Sequence, residues 1–128
     1  AELRVAPESA RAHFRAGYLY QASRGDPGTA SEHLALAVDL DPSNADAHVE
    51  YGRVLYQLDR LRAAADQFER ALKLDGRNLT ANYNLAMVYQ YMDKRALAIE
   101  RFRYLLTLEL PGEWKAEAEG YLRRLEGQ

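Results

Sequence analysis

The chain has 128 residues, of which 48% are hydrophobic and 28% charged, and its 17 Lys and Arg against 19 Asp and Glu leave a net charge of -2. That length suits one domain over 1–128, and the charge argues against a nucleic-acid surface, which shows a clustered excess of Lys and Arg. With no cysteine, disulfides and thiolate chemistry are excluded and the redox compartment stays open. Charges interrupt every apolar stretch well short of the roughly 20 residues that span a bilayer, so membrane insertion is not expected. The compartment is unassigned: the cytoplasm is favoured, and the periplasm follows if a signal was removed.

The spacing predicts seven helices, near 8–23, 29–40, 44–57, 61–74, 78–91, 95–109 and 112–126. The first carries Ala16, Leu19 and Tyr20. The second carries Ala30, Leu34, Ala37 and Val38, and Thr29 with Glu32 reads as the capping box that opens it. The third bears Ala47, Tyr51, Val54, Leu55 and Leu58, and the fourth Leu61, Ala64, Ala65, Phe68, Ala71, Leu72 and Leu74. The fifth holds Leu85, Val88, Tyr89 and Met92, and the sixth Ala98, Ile99, Phe102, Leu105 and Leu106. These are amphipathic stripes at three- and four-residue spacing. The seventh has a stripe of Trp114, Ala118, Tyr121, Leu122 and Leu125, with Glu and Arg on its other face, and reads as a cap. Leu58-Asp59-Arg60 leaves room only for a tight turn, so the helices it joins run antiparallel. Asp41-Pro42-Ser43-Asn44, Asp75-Gly76-Arg77-Asn78 and Leu110-Pro111-Gly112 break the chain between pairs. Asp66 with Arg70 and Glu69 with Lys73 are opposite charges four apart on an exposed helix face.

A fixed period underlies these pairs. Ala30, Ala64 and Ala98 lie 34 apart, as do Leu34, Phe68 and Phe102, then Ala37, Ala71 and Leu105. Gly17, Gly52 and Ala86 repeat at 35 and 34, so one extra residue lies in the loop around Ser23 to Gly28. Such self-similarity marks a stacked-repeat architecture, in which each unit buries its apolar face only against its neighbours. Small residues at Gly17, Gly52, Ala64 and Ala98 let helices approach closely, and bulky Leu34, Phe68 and Phe102 fill the space between units.

The pattern resembles the tetratricopeptide repeat family, whose units are helix–turn–helix pairs of 34 residues. The family's first-helix signature survives as Ala16-Gly17 with Tyr20, Tyr51-Gly52 with Leu55, and Leu85-Ala86 with Tyr89. Its second-helix signature survives as Ala30-Leu34-Ala37-Pro42 and as Ala64-Phe68-Ala71 with Gly76. The third unit departs, with Leu105 and a late Pro111, and the usual early tryptophan is replaced by His13, His48 and Asn82. The resemblance implies an all-α, right-handed α-solenoid with repeats near 10–43, 45–78 and 79–111 and a capping helix at 112–126. It also implies that the first helices line a concave groove for a peptide or helix of another protein.

Residues outside the core stripes fit such a groove. Phe14 with Tyr18, Val49 with Arg53, and Tyr83 with Met87 are spaced by one turn on successive first helices, roughly 100–140° from the core stripe. Tyr56, Asn84, Gln21, Gln90 and Tyr91 extend that face. These eleven residues are the candidate partner-binding set. Repeat proteins that grip a C-terminal carboxylate use Lys, Asn and Arg in these slots. Phe14, Tyr18, Glu50, Tyr83 and Met87 stand there instead, so a carboxylate clamp is not expected.

No catalytic, metal or cofactor site is expected. His13 and His48 occupy equivalent slots and could approach one another, but a zinc site wants three or four converging ligands, and His33 belongs to a second helix. Gly25-Asp26-Pro27-Gly28 lacks the Lys-Ser/Thr of a phosphate loop. The function expected is a non-catalytic protein-interaction module. The rivals are a self-associating scaffold, through the Trp114 helix or an open end of the stack, and a segment of a longer array of the secretion, pilus-assembly or chaperone type. A start at Ala1 without methionine suits an excised or processed piece.

Overall fold

In the computed structural model, which describes residues 7–22 and 25–127, apolar stripes become seven helices stacked in sequence. They are α1 (Pro7–Ala22), α2 (Pro27–Leu40), α3 (Ala45–Gln57), α4 (Leu61–Leu74), α5 (Leu79–Tyr91), α6 (Arg95–Leu105) and α7 (Gly112–Glu126). Each helix packs on the next, and the first helices of neighbouring pairs, α1 with α3 and α3 with α5, also touch. The fold is all-α, built of antiparallel pairs with α7 laid over the third.

Small residues set the spacing within pairs. A methyl added at Gly17 would lie 2.5 Å from Leu34 Cγ, and one at Gly52 would lie 2.7 Å from Phe68 Cε1. Leu34, Phe68 and Phe102 are fully buried. Phe102 stacks on Tyr121 of α7 at 5.7 Å and meets Tyr83 edge-on at 6.4 Å, which ties α7 to the third pair. One large apolar cluster runs from α3 to α7. Two smaller clusters, Ala30–Leu34–Val54 and Ala37–Val38–Ala47, join α2 to α3. The same slot that holds Gly17, Gly52 and Ala86 falls on Gly120 in α7, where an added methyl would meet nothing within 4 Å.

Turns within the second and third pairs are copies of one another. Asp59 and Asp93 both adopt φ 60, and Arg60 and Lys94 donate back to the Leu55 and Tyr89 carbonyls at 2.9 Å. This is a left-handed helix stop, tolerated by Asp because its short side chain suffers less than a branched one. Asn44 and Asn78 cap α3 and α5 by accepting from Ala47 and Ala81 N–H at 3.2 and 2.9 Å.

Three local expectations are corrected. α2 opens at Pro27, with Asp26 as its cap accepting from Gly28 N–H at 2.9 Å, and Thr29 donates its hydroxyl to Asp26 rather than acting as the cap. Pro27 at the first helical position dictates this, because its fixed φ suits a helix start. α6 ends at Leu105 rather than near 109, since Thr107 donates both its N–H and its hydroxyl to the Tyr104 carbonyl and tightens the last turn. The ion pairs among the described residues are Arg53–Glu50 and Arg103–Glu126, not the pairs expected on α4; Glu69 instead accepts from Tyr89 Oη at 2.5 Å.

Polar pins hold the pairs together beneath the apolar contacts. His48 in α3 is buried, with Nε2 2.9 Å from the Pro42 carbonyl and Nδ1 2.7 Å from the Gln67 amide of α4. Asn82, one repeat later, donates to the Gly76 and Asn78 carbonyls at 3.1 and 2.8 Å. In the first pair, His13 Nδ1 meets His33 Nδ1 at 3.1 Å. The expected approach of His13 to His48 is therefore replaced by first-helix to second-helix contacts. Among the described residues no group of three or more His, Asp or Glu converges as metal ligands.

Candidate protein-binding face

Side chains from alternate helices, α3, α5 and α7, converge on one side of the stack. Arg53, Thr80, Tyr83, Asn84, Trp114 and Glu117 line a cleft of about 290 Å³. Tyr83 donates its hydroxyl to Glu117 at 2.8 Å, and its ring lies 5.3 Å from Trp114 at a tilt of 51°. Burial first, and the Glu117 hydrogen bond second, push the Tyr83 phenol far above its ordinary pKa. Arg53 Nη1 lies 3.2 Å from Glu50. Burial raises the Glu50 carboxyl above its usual range, with Arg53 opposing the shift.

A second cleft lies where α3 and α5 end, lined by Tyr56, Asp59 of the following turn, Leu61 at the start of α4, and Tyr91. Tyr56 and Tyr91 meet edge to face at 5.9 Å. Burial, with a smaller contribution from the Tyr91 hydrogen bond, pushes the Tyr56 phenol up to about 12.

The eleven candidate residues divide by exposure. Tyr18 and Tyr91 are open, at 47% and 58% of their full surface, and Arg53 is also exposed. Phe14, Tyr56, Tyr83, Asn84 and Gln90 are half-buried. Phe14 packs against the small clusters under α1 and tilts on Tyr18 at 6.4 Å. Gln90 Oε1 is buried without a hydrogen-bond partner among the described residues. Val49 and Met87 are buried in the main cluster, at 4% and 9%, so they form the seam between first helices and present no open surface to a ligand. The side chain of Gln21 lies outside the described residues.

Trp114 and Glu117 stand outside that set although both line the cleft beside Tyr83. The repeat itself carried the signal: Trp114 lies 34 after Thr80, and Glu117 lies 34 after Tyr83. The face continues onto α7 in the register of a fourth first helix.

Stacked antiparallel pairs with a shared first-helix face define a helical-repeat module. Residues 21–78 match the model of the tetratricopeptide repeat, and the stacked helix pairs have the fold of that repeat. It is 27% identical to protein O-mannosyl-transferase F38B6.6 of Caenorhabditis elegans over 85 residues, which span 66% of this chain and 12% of that protein. The structure of MamA superposes with a TM-score of 0.83 at 26% identity, covering 94% of this chain and 66% of MamA. The first repeat domain of Spaghetti (RPAP3), bound to the HSP90 peptide SRMEEVD, superposes with a TM-score of 0.85 at 18% identity, covering 98% and 97% of the two chains. Among the described residues no helix is long and apolar enough to cross a membrane.

Proposed function

We propose that this domain captures a segment of another protein, extended or helical, along its first-helix face. One observation carries the reading: α3, α5 and α7 all open side chains onto the cleft around Tyr83 and Trp114. Aromatic rings there offer contact area at low entropic cost, and Thr80 and Asn84 can hydrogen-bond a bound backbone. The Spaghetti domain holds an acidic peptide, but that chemistry does not carry over to this chain. Glu117 lines the cleft, and Arg53 is already engaged by Glu50. The ligand that fits is an apolar or aromatic segment rather than an acidic tail.

Selection from a displayed library of random peptides tests the reading. Recovered peptides are expected to be rich in aromatic and aliphatic residues. Tyr83→Ala or Trp114→Ala is expected to weaken them by roughly tenfold or more, the loss of about 1.4 kcal/mol, with helical content unchanged. Equal binding by both variants and by Tyr18→Ala would remove the groove from consideration.

A further inference from the structure

Repeat register states what each first helix ought to bury, and α1 departs from it. Val54 in α3 and Val88 in α5 are fully buried, whereas Leu19 in the same slot of α1 is 58% exposed. Ala47 and Ala81 are likewise fully buried, and their counterpart Ala12 is exposed. Neighbouring Tyr20, 42% exposed, differs in being engaged by a ring, stacking on His33 at 5.8 Å.

The covering element is known for the later helices. Val54 packs on Ala30 and Leu34, and Ala47 packs on Ala37 and Val38, all from α2. The second helix of the preceding pair thus seals each first helix, through a small residue, a large one four places on, and a small and a branched residue at seven and eight. α4 presents Ala64, Phe68 and Ala71 to α5 in the same spacing.

We infer that the Ala12–Leu19 face of α1 is a docking surface for one further amphipathic helix bearing that stripe, the second helix of another helix pair stacked against α1. A second copy of this chain is a poor source. The stripes of its own α2, α4 and α6 are already covered by α3, α5 and α7, and Ala98, Phe102 and Leu105 of α6 are fully buried. The occupant therefore comes from a pair outside the described residues, and it meets α1 as an extension of the established interface rather than in the groove.

Inserting a copy of residues 44–77 between Glu8 and Ser9 places a second α4 in register against α1. This extension is expected to raise Tm by about 5 °C or more. Leu19→Asp should then lower Tm by a similar amount in the extended chain and by less than about 2 °C in the original. A second extension, copying residues 9–43, puts α2 in the same role and guards against a poorly folded first one. The inference is overturned if neither extension raises Tm, or if Leu19→Asp costs the original chain as much as the extended one. It is also overturned if the original chain dimerises in sedimentation through a contact that Leu19→Asp abolishes, because the occupant would then be a second copy.

Discussion

Arg101 Nη1 of α6 donates to Asn82 Oδ1 of α5 at 2.9 Å, and the two residues stand in the same relation as Gln67 and His48 one repeat earlier. Both contacts bridge a first helix to its second helix under the apolar layer, from a slot where the family usually places tryptophan. Asn82 is fully buried, so its amide is satisfied by two carbonyls on one side and a guanidinium on the other.

Asn82→Ala removes all three hydrogen bonds and leaves their partners behind. The prediction is a loss of about 1–3 kcal/mol, the usual penalty for stranding buried polar groups. Urea unfolding followed by circular dichroism measures it, and a midpoint unchanged from wild type would show that the pin contributes nothing.

Gly52 and Gly120 occupy one repeat slot and are predicted to respond to alanine with opposite signs. At Gly52 the new methyl strikes the Phe68 ring, so Gly52→Ala is expected to destabilise by about 1–3 kcal/mol. At Gly120 there is nothing to strike, and the helix gains the ordinary advantage of alanine, about 0.5–1 kcal/mol. Thermal melts of the two variants settle the point; shifts in the same direction would contradict the packing described.

Alkaline pH is predicted to unfold the chain through its tyrosines. Tyr56, Tyr83 and Tyr89 are all raised above 10.0, chiefly by burial, and for Tyr56 to about 12. A phenol with a raised folded-state pKa holds its proton longer when folded. Its contribution is therefore complete below about 10 and is lost as pH climbs toward 12 and beyond. Native tyrosinate absorbance should lag that of the urea-unfolded chain, and Tyr56→Phe, Tyr83→Phe and Tyr89→Phe should each shrink the lag. Coincident titration of native and unfolded chains would rule this out.

Much of this architecture was legible because a 34-residue period repeats both the helical stripes and the small-against-bulky contacts such as Gly52 with Phe68. Details set by single residues were less visible. Pro27 moved the start of α2, and Thr107 shortened α6. The extra residue between the first two helices makes His13 meet His33 twenty positions away, where His48 and Asn82 reach nineteen. In the groove, angular position alone could not separate an open face from a seam. Val49 and Met87 lie where the neighbouring first helix arrives, so they are covered, while Tyr18 and Tyr91 clear it. Trp114 and Glu117 are hard to read from the three helix pairs because, among the described residues, α7 has no second helix after it to mark it as a first helix.

The main apolar cluster runs from α3 to α7, while α1 and α2 are fastened by two small patches. In a linear stack, each unit's persistence depends on its immediate neighbour. The amino-terminal pair should therefore unzip first, exchanging its amide hydrogens with solvent while the remainder stays protected.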